Sequence, residues 1–230
     1  MIDLLGITIH EPDVVVTDIG LAALGAWLGW RLWTGRQRTL SQPGAILMAG
    51  LGSAAFWCAM FHAIFPWETA TRAGFIAWIP VSLSIAVAAA AMLDIALSIL
   101  LPGIPPKARR VLLAMYVGGF ATVVLLVDES FTSIVRFYVP ALLLFLVGAI
   151  LEAYRSGAGW MLVVGGLLVS VGAALLQQAK VSLNPEYFDH NAVYHVLQSI
   201  ALVILYRGFR KLPDAPGRIY ATGANPTPGS

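Results

Sequence analysis

The stretch "YFDHNAVYHVLQSIALVILYRGFR", residues 187–210, decides what kind of protein this is. From His190 to Tyr206 it contains no Asp, Glu, Lys or Arg, and the basic residues Arg207, Arg210 and Lys211 close it. An apolar run of about 20 residues crosses a ~30 Å hydrocarbon core as a helix, because every backbone N–H and C=O is then paired within the segment. Asp189 is a natural N-cap, so a spanning helix is predicted over residues 190–209. Two of the four histidines in the chain, His190 and His195, stand at its mouth, and their presence there requires a reason.

The rest of the chain repeats the spanning signal. Of 230 residues, 59% are hydrophobic and 11% charged, against roughly 25% charged in an ordinary soluble domain. Apolar runs bounded by charge, Pro or Gly fall at 12–33, 43–65, 74–100, 109–127, 131–151 and 158–179, ahead of 190–209. The predicted fold class is an all-α membrane protein, a seven-transmembrane-helix bundle. Connections are short, so residues 1–211 read as one domain. The tail 212–230, with "PDAPGRIYATGANPTPGS", lacks apolar periodicity and reads as disordered and cytoplasmic. The opening "MIDLLGITIHEPD" has no basic n-region, so no cleavable signal is expected. The single cysteine, Cys58, excludes an internal disulfide and a Cys-rich metal site. A formal net charge of +2 is too small to suggest a nucleic-acid partner.

Charge placement predicts orientation. Arg31, Arg36, Arg38, Lys107, Arg109, Arg110, Arg155, Arg207, Arg210, Lys211 and Arg218, 11 of the 14 basic residues, fall on one side, and only Arg72, Arg136 and Lys180 on the other. The positive-inside rule then puts the N-terminus outside and the C-terminus in the cytoplasm of a plasma membrane that the chain crosses several times.

That frame assigns depths. His62 falls about one turn below the outer surface near the end of the second span, and His195 roughly 7 Å below it at the start of the seventh. His10 lies in the outer segment. Asp18, Arg136, Gln177, Gln178 and Gln198 share this outer layer, whereas the inner halves of most spans are Leu, Val, Ala and Gly. Ionisable side chains in a bilayer face the bundle interior or a water-filled cavity, so the asymmetry predicts a polar pocket on the outer side. Asp94 lies near the inner surface and reads as a partner for a neighbouring helix, and Cys58 as a small core residue. Pro80 and Pro140 are expected to interrupt the third and fifth spans, without the matched broken helices of an inverted-repeat transporter. No lysine lies in the seventh span, and no Walker loop, G-x-S-x-G or H-E-x-x-H motif is present.

Spacing narrows the chemistry. Residues four apart share a helix face, so Cys58 lies beneath His62 and Asn191 above His195. His190 precedes His195 by five residues, about 140° around a regular helix, and joins it only if the first turn is irregular. His62, His190 and His195 would then form a three-histidine zinc site with an open fourth position for water.

A histidine near the end of the second span, a small residue four before it, and a histidine-bearing motif opening the seventh resemble the CREST superfamily of alkaline ceramidases and progestin and adiponectin receptors. "HNAVYHVLQ" also resembles a bacterial group of seven-helix proteins. The resemblance implies a zinc ion held by a histidine of the second helix and an H-x-x-x-H pair of the seventh, assisted by a serine and an aspartate. His62 and His195 match those positions, Asn191 stands where the first histidine of the pair would be, and Cys58 stands at the serine. Either Asp18 or Glu68 would handle protons.

The expected function is an integral membrane zinc-dependent hydrolase of a lipid amide or ester, with membrane lipids and a lipid-like substrate as its partners. A non-catalytic receptor or sensor, and a bis-histidine haem protein, are the alternatives. The orientation is tested by cysteine labelling in a Cys58→Ser background. A cysteine at Glu186 should react with a membrane-impermeant thiol reagent added outside intact cells, and one at Arg109 should not; the reverse pattern would invert the topology.

Overall fold

The computed structural model describes residues 2–4, 7–35, 40–65 and 71–212. A short antiparallel hairpin, β1 (Ile2–Leu4) and β2 (Ile7–Ile9), leads into seven helices: α1 (Pro12–Thr34), α2 (Ser41–Ile64), α3 (Arg72–Leu100), α4 (Pro106–Leu126), α5 (Phe131–Ser156), α6 (Ala158–Gln178) and α7 (His190–Phe209). All seven are long and apolar enough to cross a membrane. Each matches a predicted span, with ends moved by at most five residues. The tail 213–230 and the loop holding Glu68 lie outside the described residues.

Local chemistry sets the helix ends. Pro12 and Pro106 begin α1 and α4, where a missing N–H costs nothing. Thr71, Ser130 and Asp189 cap α3, α5 and α7 through their side chains, Asp189 accepting from the amides of Asn191 and Ala192. Gly157, at φ 84°, makes the turn between α5 and α6, a conformation that suits a residue without Cβ. Pro80 and Pro140 do not interrupt their helices: α3 and α5 run through them. Tyr116 of α4 donates to the carbonyl of Phe137 at 2.6 Å, a hydrogen bond that ties α4 to α5.

Helices α1, α2, α3, α5, α6 and α7 follow one another around a ring, and α4 packs outside it on α3 and α5. Only Phe120 and Val124 of α4 are buried. One continuous apolar core, including Leu28, Leu47, Met92, Phe145, Leu167 and Phe209, fills the ring toward the end where α1 and α7 finish. A second cluster, with Phe61, Trp78, Phe120 and Ile134, lies toward the opposite end.

The tightest seam joins α1 to α2. A Cβ on Gly25 would lie 2.7 Å from the Cα of Gly52, and one on Gly52 would lie 3.0 Å from the carbonyl oxygen of Ala22. Backbone meets backbone there, as small residues permit between membrane helices. Gly52→Leu should therefore cost about 3 kcal/mol, because no flexible side chain can yield. Gly118→Ala, on α4 with nothing within 4 Å of the added carbon, should leave the thermal midpoint in detergent unchanged or higher. Equal midpoints for Gly52→Leu and the parent would refute the close-packing argument.

Candidate metal group and its cavity

The α1–α2 contact brings a short carboxylate on one helix against the face of the next. Asp18 follows the first residue of α1 by six positions, about 9 Å along the axis. On α2, Cys58 and His62 are one turn apart on one face. One ligand atom from each of Asp18, Cys58 and His62 lies within 4.8 Å of the others, a spacing that fits a single metal ion.

Surrounding residues hold two of these side chains in place. His62 Nδ1 is engaged by Glu11 Oε2, leaving Nε2 as its free nitrogen. Asp18 Oδ1 lies 3.2 Å from His195 Nε2, and His195 Nδ1 lies 3.2 Å from Thr17 Oγ1. The Thr17 hydroxyl also lies 2.9 and 3.0 Å from the carbonyl oxygens of Asp13 and Val14; when its one proton goes to Nδ1 instead, a neutral imidazole donates Nε2–H to Asp18. Asp18 is 1% exposed, and its Oδ2 is buried without a hydrogen-bond partner. A buried carboxylate oxygen with no partner is costly, and a cation would satisfy it. The donor set fits: a thiolate and a carboxylate carry the two negative charges that balance a divalent ion, and both supports are of the kind that orient metal ligands.

These residues line a cavity of about 310 Å³. Its walls come from every helix except α4, and include the apolar Leu51, Val81, Ile85 and Ile134 and the polar Tyr138, Gln177, Asn191 and Tyr194. A pocket is therefore present at the predicted end of the bundle, where α1 and α7 begin, but it is a mostly apolar cavity into which a few polar groups converge rather than a polar one.

The expected histidines meet only in part. His62 and His195 both line the cavity, but His190 does not. His190 is the first residue of a regular α7, with Nδ1 3.6 Å from Asp189 Oδ2. Asn191 lines the cavity in its stead and accepts from Gln177 Nε2 at 3.1 Å. The reason is helix phase: Asp189 caps α7 so firmly that the first turn is regular, and only the residue four before His195 can share its face. Both ring nitrogens of His195 have partners, so its place is beside Asp18. Asp18 itself stands inside the metal group, while Glu68 lies outside the described residues. Asp94 pairs with Arg109 at 2.9 Å, the helix-to-helix role expected of it.

Two contributors were not anticipated as site residues. Cys58 reads in sequence as a small core residue, although its spacing of four from His62 puts it on the same face and the resemblance sets it at the position of an assisting serine. Glu11, next to Pro12 at the start of α1, reads in sequence as an ordinary acid at a helix N-terminus.

The fold and this group define a class: a seven-helix protein of the multi-pass membrane type, with a potential metal-binding trio inside one end of the bundle. The chain belongs to the DUF6962 family, a family of unknown function, whose model matches residues 14–214. No curated protein matches the chain.

The Asp18–His195 pair yields a stability test in metal-free protein. His195→Ala should destabilise by about 3–5 kcal/mol, because it strands a buried carboxylate. Adding Asp18→Asn should recover much of that loss, read as the thermal midpoint in detergent with chelator present. No recovery would mean that the histidine acts through packing alone.

Proposed function

We propose that this protein is an integral membrane zinc-dependent hydrolase of a lipid amide or ester, related to the CREST superfamily, with its site near the outer membrane surface and its C-terminus in the cytoplasm. The observation that carries the reading is the convergence of Asp18, Cys58 and His62 within 4.8 Å of one another, beside the unpartnered Asp18 Oδ2. Zinc suits a mixed thiolate, imidazole and carboxylate set.

Asp18, Cys58 and His62 would hold the zinc, which would supply an activated water at neutral pH. The chain's own residues do the rest. Glu11 fixes the His62 ring, and His195 fixes the Asp18 carboxylate. Tyr138, Tyr194 and Gln177 line the cavity where they can donate to a substrate carbonyl oxygen, while Leu51, Val81 and Ile85 offer an apolar wall for an acyl chain. The linked Thr17, His195 and Asp18 side chains form the place where a proton can be held.

The second reading, a receptor or sensor without catalysis, draws support from the position of His190 outside the cavity, because the three-histidine site with an open position for water is then not formed. The bis-histidine haem reading draws less, since both nitrogens of His195 already have partners.

Metal analysis of the purified chain tests the proposal. About one zinc per chain should co-purify. Asp18→Ala, Cys58→Ala and His62→Ala should each remove it, and His195→Ala should weaken binding about 10- to 100-fold, as loss of a supporting residue does. His190→Ala should bind normally. Fatty acid release from an N-acyl lipid in mixed micelles should stop with chelator and return with zinc. Full zinc in all three ligand variants would sink the site; zinc without release would select the receptor reading.

A further inference from the structure

The cavity of the metal group holds a buried amide that the fold leaves without a partner. Gln198 lines the cavity and is 3% exposed, and its side chain makes no hydrogen bond among the described residues. The amides of Gln177 and Asn191 are engaged: Gln177 donates to Asn191, and Asn191 to Asp189. A buried amide without a partner is costly, so Gln198 marks a place where a ligand group is wanted. We infer that this group is a hydroxyl of the substrate, and that the acyl group cleaved here carries it on the third carbon, counting from the carbonyl. This substrate class rests on the proposed hydrolase reading, which sets the acyl carbonyl at the metal group.

Helix phase and direction place the amide. Asn191, Tyr194, His195 and Gln198 share the cavity face of α7. Gln198 lies about 4.5 Å farther along the axis than His195, whose Nε2 is 3.2 Å from Asp18 Oδ1. Helical side chains lean toward the N-terminus, and α7 begins at the metal end, so the amide rises toward Asp18 from below. Beyond it the same face continues as Ala201, Leu202 and Leu205, all buried. On that face Gln198 is the last polar group before the core.

The same geometry says which half of a substrate passes it. Leu51 lies two turns inward of Cys58 on α2, and Ile85 two turns inward of Trp78 on α3, so the apolar wall runs deepest where Gln198 stands. An acyl chain running from the metal group along that wall passes the amide, while the leaving amine or alcohol faces the mouth. A hydroxyl on the third carbon lies about 3–4 Å from the carbonyl carbon by ordinary bond lengths, which matches the offset of Gln198 from His195. A neutral amide both donates and accepts, as a hydroxyl does. A charged substituent would find no counter-charge in Gln198.

The test is binding to the full chain in detergent with chelator present, so that neither metal nor turnover is needed. The probes are octanoyl ethanolamide and the two enantiomers of 3-hydroxyoctanoyl ethanolamide. The parent should bind one hydroxylated enantiomer about 10- to 100-fold more tightly than the plain amide. Gln198→Met, similar in length but without the amide, should lose that preference. It should also raise the thermal midpoint of the unliganded protein, because it replaces an unsatisfied buried group, and so shows that the variant folds. Gln178→Leu, at an exposed position that does not line the cavity, should keep the preference. Ratios compared between variant and parent cancel the unequal partitioning of the probes into detergent. No preference in the parent, or the same preference in Gln198→Met, would overturn the subsite. Turnover with zinc separates the two readings. A preference without release of either acid would keep the subsite and sink the hydrolase, whereas equal release from plain and hydroxylated amides would keep the hydrolase and overturn the subsite.

Discussion

The contact between Asp18 and His195 is the interaction on which the rest of the site depends. A carboxylate held 1% exposed in a helix long and apolar enough to cross a membrane cannot borrow hydrogen bonds from solvent, so its partners must come from the bundle or from a bound ion. Three helices meet around it: α1 carries the acid, α7 brings His195 to its Oδ1, and α2 brings Cys58 and His62 within ligand distance, while Oδ2 stays unpartnered. Each partner needs its own support, from Thr17 and Glu11 respectively for the two imidazoles. Polarity at this end is therefore a connected network. At the other end the buried or half-buried acids have simple pairs, Asp94 with Arg109 and Glu152 with Arg155.

Close backbone packing makes the network possible. Aspartate has a short side chain, so Asp18 can reach ligands on α2 only if the two helix axes lie near each other. Gly25 is two turns along α1 from Asp18, and Gly52 lies less than two turns along α2 from Cys58. Their mutual approach, which leaves no room for a Cβ, draws the helices together beside the site. The glycines contribute no chemistry, yet a larger side chain there would separate the acid from the thiol and imidazole.

The two ends of the bundle thus present different problems to a ligand. One encloses a mostly apolar cavity in which a few polar groups converge, the usual form of a small-molecule site. The other opens a polar hollow between helix ends amid exposed tryptophans.

Much of this was legible in the sequence. Seven apolar runs bounded by charge and proline determine seven helices, because backbone pairing in hydrocarbon allows little else. Residue depth follows from 1.5 Å per residue, which is why Asp18, His62 and His195 fall in one layer on sequence alone. Neighbours in that layer are another matter. Which helix stands beside which is set by packing, and only the ring order puts α1 between α2 and α7, so that one carboxylate meets ligands from both. Rotation about each helix axis is the other quantity the tertiary structure decided. The Asp189 cap starts α7 as a regular helix, and the 100° between successive residues turns Asn191 toward the cavity and His190 away from it. Glu11 and Cys58 entered the site for the same reason: their partners belong to elements distant in sequence or, for Cys58, acquire meaning only when Asp18 of another helix comes within reach.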